Sequence, residues 1–444
     1  MAKFIVKGGR PLFGEVQVAG AKNAASKMFV ASLLTAERCI FKSVPAIGEL
    51  EIVKELLANI GTEIDVAGPT ASVATPVIKN NRVTQLSRKN RIPILALGPL
   101  LARTGEAEVP VLGGDKIGPR PVDIHLAGLE QLGAKIEATP TSFHAWAPEG
   151  GLRGAEIELR FPSVGATENV MLAAVLAKGK TVIKNAALEP EIIDLMKLLQ
   201  KMGAIIELHP PRTIIIEGVP ELHGATHRVM PDRNEAVSFA CLAIATNGRI
   251  KLKGAIQEHL ITFLNTVRRL GGEYQVEEDG IAFWRASSAA AGEGGSTEGH
   301  LTPLEVRTDT HPGFMTDWQQ PLGVLLTQAK GTSTIHETIY EDRFAYANDL
   351  NAMGAKIKVT TDCPPNDPCR FEGKGYPHLA IIEGPTPLES ANLTVRDLRS
   401  GIVDILAALV AQGVSEIEGA DEIDRGYENI DDRLRQLGAD ITRA

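Results

Sequence analysis

The chain has 444 residues, a hydrophobic fraction of 44% and a formal net charge of -9 at pH 7. This length exceeds the size at which one hydrophobic core keeps growing, so it predicts two domains. The negative charge argues against nonspecific binding to nucleic acid or to an anionic membrane. No stretch approaches the roughly 20 uncharged apolar residues of a membrane span, and the first residues lack the apolar segment of a secretory signal. We therefore expect a cytoplasmic protein.

In chain order, the predicted elements repeat one pattern. An amphipathic helix ends in Leu, Met or Ile, and it is followed by a glycine, then a small residue or a second glycine, and then a short strand. The glycine is a helix C-cap signal because it adopts the left-handed conformation without a Cβ penalty. The six glycines are Gly61, Gly133, Gly203, Gly271, Gly354 and Gly438. Their spacing indicates a unit of roughly 70 residues used six times.

Each unit has a second half, in which an apolar run is closed by a turn and a strand, as in VLAKGKTVIKNA and LVAQGVSEIEGA. The unit is therefore predicted to contain a helix, a strand, a helix and a strand. The second helices, such as those at residues 170–176 and 402–410, are apolar nearly all round. This pattern predicts helices buried inside each half of the molecule.

Three repeats in each domain are the natural division, with the change of domain near residues 227–232. We expect the N-terminal strand to join the second half. The predicted domains are therefore residues 22–231 and residues 1–21 plus 232–444. Residues 286–300 are small, polar and rich in glycine, which predicts a flexible surface loop.

The segment at residues 360–378 also interrupts the repeat and contains the sequence CPPNDPC. Cys363 and Cys369 are interpreted as part of a surface loop, because a structural zinc site needs about four ligands and the sequence has no second cysteine pair. A disulfide between them stays open, although a reducing compartment disfavours it.

Functional residues are expected where one copy departs from the others. GAKNAASK, at residues 20–27, opens a helix and aims backbone N–H groups and the Lys22 ammonium outward, which suits either an anion site or a solvated lysine.

VLGGDKIGPRPVDIHL, at residues 111–126, surrounds Asp115 with glycines and then starts a helix. Simple turn chemistry would explain that aspartate alone. The nearby lysine, Arg120 and Asp123 favour a mobile ligand-binding loop.

Further Asp–Arg pairs follow strands or open helices in MPDRNE, THPGFMTDW, TIYEDRF, VRDLRSG and EIDRGYE. Each pair alone is more typical of a structural or solvated ion pair. Together, the arginines at equivalent ends of several repeats indicate one cationic focus, suited to a phosphate and a carboxylate. They predict a small polyanionic substrate.

In this order, the segments resemble the enolpyruvyl transferases over essentially the full length. The resemblance is carried by GAKNAA, ALGPLLAR, GGDKIGPRPVDIHLAGLEQLGA, PSVGATENVMLAAVLAKG, EPEIIDL, MPDRNEA, MTDWQQP, ETIYEDRF, DLRSG and IDRGYENI. It implies an inside-out α/β barrel of two globular domains, each built from three helix–strand repeats. It also implies transfer of the enolpyruvyl group of phosphoenolpyruvate to the 3-hydroxyl of UDP-N-acetylglucosamine, with no metal or redox cofactor, as the first committed step of peptidoglycan synthesis.

By the same resemblance, Asp115 stands where most members carry the loop cysteine that donates a proton and reacts with fosfomycin. The carboxylate cannot form that thioether, so insensitivity to fosfomycin is expected. Asp317 matches the residue beside the attacking hydroxyl and is the candidate base. The expected cationic residues are Lys22, Arg120 and Arg425 for the phosphate and Arg343 and Arg399 for the carboxylate. Lys22 and Arg399 are also expected to be catalytic, because they would stabilise charge in the transition state.

The positions that match the family's UDP-sugar contacts are Asn23, Arg91, Pro121, Val122, Asp123, Ile124, His125, Ser163, Val164, Gly165 and Ile339. Asp232 and Asp397 match acidic residues that would orient the cationic side chains. The expected partners are therefore two small-molecule substrates, phosphoenolpyruvate and UDP-N-acetylglucosamine, without nucleic acid or membrane. The sequence makes no prediction about the oligomeric state.

Two kinds of alternative stay open. Residues 46–50 (AIGEL), Phe161 and Glu422 depart from the commoner pattern, which leaves room for another nucleotide acceptor. A shikimate-type acceptor is disfavoured because ALGPLLART lacks that branch's Asn-Ala-Gly-Thr signature. The alternative of another class is a non-catalytic six-repeat protein, either a ligand-binding relative or a DNA clamp, and the net charge speaks against the clamp.

Overall fold

The computed structural model describes residues 2–87, 90–111, 113, 118, 121–286, 299–365, 369–395 and 398–444, without the side chains at 399 and 400. The chain forms two compact units. Unit 1 comprises Met1–Val18 and Pro231–Ala444, together with Gly118, and unit 2 comprises Ala19–Gly114 and Pro121–Met230. The division expected from the repeats lies at 21/22 and 231/232.

The elements of both units are mixed helices and short strands. The strands are β1 (Lys3–Lys7), β2 (Phe13–Gln17), β3 (Cys39–Lys42), β4 (Glu63–Ala67), β5 (Thr70–Ala74), β6 (Glu106–Pro110), β7 (Lys135–Ala138), β8 (Ser142–Trp146), β9 (Glu156–Glu158), β10 (Lys180–Lys184), β11 (Ile205–His209), β12 (Thr213–Glu217), β13 (Thr226–Arg228), β14 (Arg249–Lys253), β15 (Gly272–Glu277), β16 (Gly280–Arg285), β17 (Glu305–Arg307), β18 (Gly331–His336), β19 (Lys356–Thr360), β20 (Leu379–Gly384), β21 (Asn392–Thr394), β22 (Val414–Glu418) and β23 (Asp440–Arg443). The helices are α1 (Lys22–Ala31), α2 (Gly48–Ile60), α3 (Leu97–Thr104), α4 (Asp123–Gln131), α5 (Val164–Ala174), α6 (Pro190–Lys201), α7 (Arg233–Ala245), α8 (Ile261–Leu270), α9 (Gln319–Leu326), α10 (Tyr346–Ala352), α11 (Leu398–Val410), α12 (Ala420–Ile423) and α13 (Ile430–Gln436).

Six small sheets share one plan among the described residues. In five of them a parallel edge strand is followed by antiparallel neighbours, in the orders β13-β3-β5-β4, β9-β10-β12-β11, β2-β14-β16-β15, β17-β18-β20-β19 and β21-β22-β1-β23. The sixth, β6-β8-β7, has only a parallel bridge between Arg82 and Glu108 at the corresponding edge. Unit 2 contains three sheets and unit 1 contains the other three.

The predicted content of two strands in each repeat was too low. Five sheets use a hairpin where the sequence pattern indicated one strand, and five also have a separate edge strand. In the sheet β21-β22-β1-β23, β1 from the start of the chain lies between β22 and β23 instead. The edge strand has only three residues in four of these sheets. A segment this short shows no readable alternation of apolar and polar residues, so pairing with its neighbour determines its structure.

The glycine-capped helices are confirmed. The six repeat glycines have φ between 92° and 108°, in the left-handed region. They directly follow or nearly follow the ends of α2, α4, α6, α8, α10 and α13. A residue with a Cβ would be strained at these positions, so each glycine ends its helix and turns the chain into the next strand.

The two hydrophobic cores surround the second helix of each repeat. In α5, every residue from 166 to 174 is buried, and in α11 residues 402–409 are buried. The expectation of buried helices is therefore confirmed. Close packing is visible between α3 and α5, because a Cβ at Gly98 would lie 3.0 Å from the Ala173 side chain.

The helices of the described ranges include none that is both long enough and apolar enough to cross a membrane.

Candidate functional site

In unit 2, Lys22 and Asn23 form the start of α1, where both are half-buried. The Ala21 N–H donates to the Met230 carbonyl at 2.7 Å, which fixes the approach to the helix. One turn later, the Lys27 ammonium donates to the Asn23 carbonyl at 2.6 Å. The N-terminus of α1 thus presents a lysine and the partial positive charge of the helix dipole, an arrangement suited to an anion.

His125, one of the predicted sugar-binding residues of unit 2, is 7% exposed. Burial, assisted by the positive charge of Arg91, lowers the pKa of His125 to about 3, so the ring is neutral near pH 7. Its Nδ1 lies 3.4 Å from Nδ2 of Asn169 on α5. A Cβ at Gly165 would lie 2.7 Å from His125 Cε1. The structure therefore brings His125 against the first turn of α5.

The first turn of α5 is built by Ser163, whose Oγ accepts a hydrogen bond from the Ala166 N–H at 3.3 Å. This N-cap satisfies one of the helix's free donors and leaves positive dipole charge at Val164 and Gly165. Asp123, the first residue of α4, forms an ion pair with Arg160. Pro121 and Val122 precede that helix and Ile124 continues it.

Two buried amides beside these residues were missed by the sequence reasoning. Asn90 is 2% exposed and Asn169 is fully buried. Asn90 Nδ2 and Asn169 Oδ1 have no hydrogen-bond partner among the described residues. A buried polar group without a partner is costly, so each amide has capacity to bind a ligand or a water molecule.

A second feature of unit 2 that the sequence reasoning missed is a buried carboxyl group behind α1. Glu168 on α5 is 1% exposed, and its Oε1 lies 3.7 Å from the Lys27 ammonium. Burial raises the pKa of Glu168 to about 7, Lys27 opposes that rise, and the carboxylates of Glu191 and Glu189 add to it. A lone glutamate in an otherwise apolar helix, as in SVGATENVMLAA, was the available sequence signal.

In unit 1, Asp317 and Arg343 form a buried ion pair. An Arg343 Nη lies 2.8 Å from Asp317 Oδ1, with side-chain exposures of 1% for Arg343 and 13% for Asp317. The same nitrogen is 3.3 Å from the Thr316 carbonyl and 3.3 Å from Gln320 Oε1. Asn234 Nδ2 donates to Asp317 Oδ2 at 3.3 Å. The carboxylate is therefore held in one orientation.

Glu337 organises the chain around this pair and was not singled out from the sequence. Its Oε1 accepts hydrogen bonds from the N–H groups of Ile339 at 2.7 Å and Tyr340 at 2.9 Å. Its Oε2 accepts from the Thr316 hydroxyl at 2.8 Å and from the Gln319 amide. Burial raises the pKa of Glu337, and Arg343 opposes that rise. This buried carboxyl group ties the turn that carries Ile339 to the turn that carries Asp317.

The other predicted residues of unit 1 make different contacts. Asp232 is the N-cap of α7, where its Oδ1 accepts from the N–H groups of Asn234 at 2.8 Å and Glu235 at 3.2 Å. Arg425 donates to Glu422 at 2.7 Å. The glutamate that departs from the commoner family pattern is therefore an ion-pair partner of Arg425, and this pair offsets one positive charge.

Three predicted residues, Asp115, Arg120 and Asp397, lie outside the described residues. Arg399 lies in the first turn of α11, but its side chain is outside the description. Gly118, in the same segment as Asp115, has φ of 120° and lies so close to the Glu341 carboxylate that a Cβ would clash with it.

Comparison with known proteins identifies the family of this chain. The family model EPSP synthase (3-phosphoshikimate 1-carboxyvinyltransferase) matches residues 6–434. Two similar proteins are named UDP-N-acetylglucosamine 1-carboxyvinyltransferase. The one from Protochlamydia amoebophila is 46% identical over 98% of this chain and 93% of its own, and the one from Gluconobacter oxydans is 41% identical over 100% and 99%.

Two solved structures that resemble the chain align with its full length. The enolpyruvyl transferase NikO from Streptomyces tendae has a TM-score of 0.84 at 22% identity and is covered over 99% of its length. An EPSP synthase from Acinetobacter baumannii has a TM-score of 0.72 at 16% identity and is covered over 100%. These likenesses show the fold, a set of mixed α/β sheets and helices.

Proposed function

Because the chain belongs to the EPSP synthase family and is an enolpyruvyl transferase, we propose that it transfers the enolpyruvyl group of phosphoenolpyruvate to the 3-hydroxyl of UDP-N-acetylglucosamine and releases phosphate. The observation that carries the choice of acceptor is the 40% to 46% identity, over nearly the whole chain, to proteins named for that reaction. The contacts in each unit support the assignment of residues below.

The reaction is an addition followed by an elimination. In the addition, C3 of phosphoenolpyruvate gains a proton, the sugar oxygen bonds to C2, and the hydroxyl proton passes to a base. In the elimination, C3 loses a proton, the bond from C2 to the phosphate oxygen breaks, and phosphate leaves. Asp115 is the proposed acid and Asp317 the proposed base. An acidic side chain that donates a proton must be partly protonated, which exclusion of water would favour by raising its pKa.

The contacts around Asp317 support its role as the base. Arg343 binds one of its oxygens and Asn234 donates to the other, so the orientation of the carboxylate is fixed. Arg343 is itself almost fully buried and bonded to three acceptors. These contacts favour a role for Arg343 in holding Asp317 over direct contact with the substrate carboxylate, which is then assigned to Arg399.

Phosphate binding is assigned to Lys22, Arg120 and Arg425, with Asp232 and Asp397 orienting cationic groups. Lys22 stands at a helix N-terminus, where the dipole adds to its charge. Donors directed at the charge that develops on phosphate and on the intermediate stabilise the transition state, and loss of one costs about 10² to 10³ in turnover.

The UDP-sugar is assigned to Asn23, Arg91, residues 121–125, residues 163–165 and Ile339. Support comes from the positive end of α5 for a phosphate and from the neutral His125 for hydrogen bonding. The unsatisfied Asn90 amide nitrogen and Asn169 amide oxygen add a donor and an acceptor. Uracil and amide groups require donors and acceptors of this neutral kind.

The same proposal includes the inside-out α/β barrel arrangement, the first committed step of peptidoglycan synthesis and a cytoplasmic location. It also includes insensitivity to fosfomycin, since a carboxylate at residue 115 replaces the reactive thiol. An antibiotic-resistant phenotype would follow from that insensitivity.

Another nucleotide acceptor is the second candidate. Glu422 favours it, because this residue departs from the commoner family pattern and forms an ion pair with Arg425, one of the cationic residues assigned to the substrates.

Phosphate release from phosphoenolpyruvate tests the acceptor directly. We expect release with UDP-N-acetylglucosamine and background rates with uridine monophosphate or shikimate 3-phosphate. Faster release with uridine monophosphate would establish the second candidate. Failure with all three acceptors, in protein that is folded by circular dichroism, would favour a binding protein and contradict the proposal.

A further inference from the structure

The connection between β19 and β20 is unusually long for an antiparallel hairpin. It spans residues 361–378, whereas most hairpin connections have about two to five residues. Cys363 lies near its start, Cys369 near its middle, and His378 is its last residue, immediately before β20. Residues 366–368 lie outside the described part of the chain.

Three potential zinc ligands, His336, Cys369 and His378, lie together at this end of the sheet, and Cys363 lies beside His378. His378 Nε2 lies 3.2 Å from Cys369 Sγ and 3.4 Å from Cys363 Sγ. His336, the last residue of β18, adds a ring nitrogen, and one ligand atom each from His336, Cys369 and His378 lie within 4.8 Å of one another. The sheet register explains this convergence, because His336 and Thr360 both pair with Leu379.

The two distances between His378 and the sulfur atoms match the edge of a tetrahedron of ligands. Zinc binds sulfur at about 2.3 Å and imidazole nitrogen at about 2.0 to 2.1 Å, so adjacent sulfur and nitrogen ligands should lie about 3.5 Å apart. The two measured sulfur–nitrogen distances are within a few tenths of an ångström of that value. Both cysteines are free thiols in the structure.

The hydrogen bonding of His378 also suits a metal ligand. Its Nδ1 lies 2.7 Å from the Tyr376 carbonyl, to which the Nδ1–H donates, so that Nε2 carries the lone pair facing the two sulfurs. Ligating histidines commonly have this arrangement, because the second bond fixes the tautomer and the ring. The ring is fully buried and packs against Phe371, with centroids 5.7 Å apart.

We propose that Cys363, Cys369, His336 and His378 form a tetrahedral Cys₂His₂ site for a structural zinc ion. Two thiolates and two imidazoles are the donor set that zinc prefers, and four protein ligands leave no open position for catalysis. Binding would release the thiol protons. Counting only cysteines as ligands leads to the interpretation of CPPNDPC as a loop without a zinc site. The missing pair consists of two histidines, one of them on a different strand.

The ion would fasten the long connection to the end of β18. Glu337 follows His336 directly. Its carboxyl group ties the turn that carries Ile339 to the turn that carries Asp317. From the same connection, Arg370 lies 3.4 Å from Glu341, another residue of the segment after β18. The metal would therefore stabilise the local structure that supports the proposed base, without taking part in the reaction.

Metal content and cobalt spectroscopy test the site. Protein expressed with added zinc and purified without chelator should contain about one zinc ion per chain, as measured by inductively coupled plasma mass spectrometry. The Cys363→Ser/Cys369→Ser variant should contain almost none. The matched control, Cys39→Ala/Cys241→Ala, removes the two buried cysteines elsewhere and should retain the metal. Zinc-free wild-type protein titrated with Co²⁺ should develop thiolate-to-cobalt charge-transfer absorption, which serves if the serine variant does not fold.

A near-zero zinc content in the wild type together with no cobalt charge-transfer band would overturn the proposal. Equal zinc content in the serine variant and the wild type would overturn it also, because the metal would then be bound elsewhere. A native intact mass lower by two hydrogens, with peptide mapping to a bond between Cys363 and Cys369, would replace the zinc site by a disulfide.

Discussion

Replacement of Asp317 by asparagine separates the carboxylate's contribution to folding from its proposed contribution to catalysis. The Asp317–Arg343 pair, at 2.8 Å, has a Coulomb attraction of roughly 6 kcal/mol at an effective dielectric constant of about 20. Desolvation of both ions offsets much of this attraction. Removal of one charge from a buried pair nevertheless costs about 3 to 5 kcal/mol, because the other ion stays buried.

The expected loss of unfolding free energy is at the lower end, about 3 kcal/mol. The asparagine carbonyl can still accept from Arg343, and the Thr316 carbonyl and Gln320 remain as neutral acceptors. Urea unfolding followed by circular dichroism measures this quantity. Turnover should fall much further, by about 10² to 10⁴, since an amide cannot accept the hydroxyl proton.

Glu235→Gln is the matched control. It breaks the ion pair between Glu235 and Arg433, whose side chains are 3% and 12% exposed. The two Arg433 Nη atoms lie 2.6 and 2.8 Å from the two Glu235 carboxylate oxygens. This variant should lose comparable stability and keep near-normal turnover at a temperature where it is folded. The reasoning fails if Asp317→Asn retains normal turnover, or if both variants lose turnover in proportion to their loss of stability.

Three other predictions concern unit 2 and the Asp115 segment. Burial raises the pKa of Glu168 to about 7 from its usual 4.5, so the folded state holds a proton that the unfolded state has lost, and wild-type stability should fall as pH rises between these values. Glu168→Gln should remove this fall. The difference in unfolding free energy between variant and wild type should therefore change by about 3 kcal/mol from about pH 4.5 to about pH 8. If urea unfolding shows the same difference at both pH values, the raised pKa is contradicted. Gly165→Ala would place a Cβ 2.7 Å from His125 Cε1, and we expect affinity for the UDP-sugar to fall about tenfold or more by calorimetry, whereas an unchanged dissociation constant would place the sugar elsewhere. Fosfomycin should leave no adduct at residue 115 of the wild type and should modify Asp115→Cys, because only a thiolate can open the epoxide to a thioether. An adduct that peptide mapping places on Asp115 would refute its assignment.

The repeat was predictable because its main signal is local. A glycine in the left-handed conformation ends each amphipathic helix, and both the apolar spacing and the glycine appear within a few consecutive residues. The all-apolar central helices were predictable for the same reason. The three-residue edge strands were not, because their structure depends on pairing with strands distant in the chain.

The same distinction applies to the candidate residues. Lys22, Asp317 and Arg343 could be proposed because they lie in charged segments that follow strands or open helices, and because these segments resemble the enolpyruvyl transferases. Glu168 and Glu337 were missed because their importance comes from burial and from hydrogen bonds to distant segments. His336 was missed beside Cys369 since only the register of β18 against β20 brings them together.

The identity of the product tests the central claim most directly. Phosphoenolpyruvate and UDP-N-acetylglucosamine should be incubated with the protein, and the nucleotide product isolated for proton NMR and mass spectrometry. The account predicts a carboxyvinyl ether on the sugar 3-oxygen, formed in equal amount to the released phosphate. Phosphate released without a carboxyvinyl product, or an enolpyruvyl group attached at another oxygen, would contradict it.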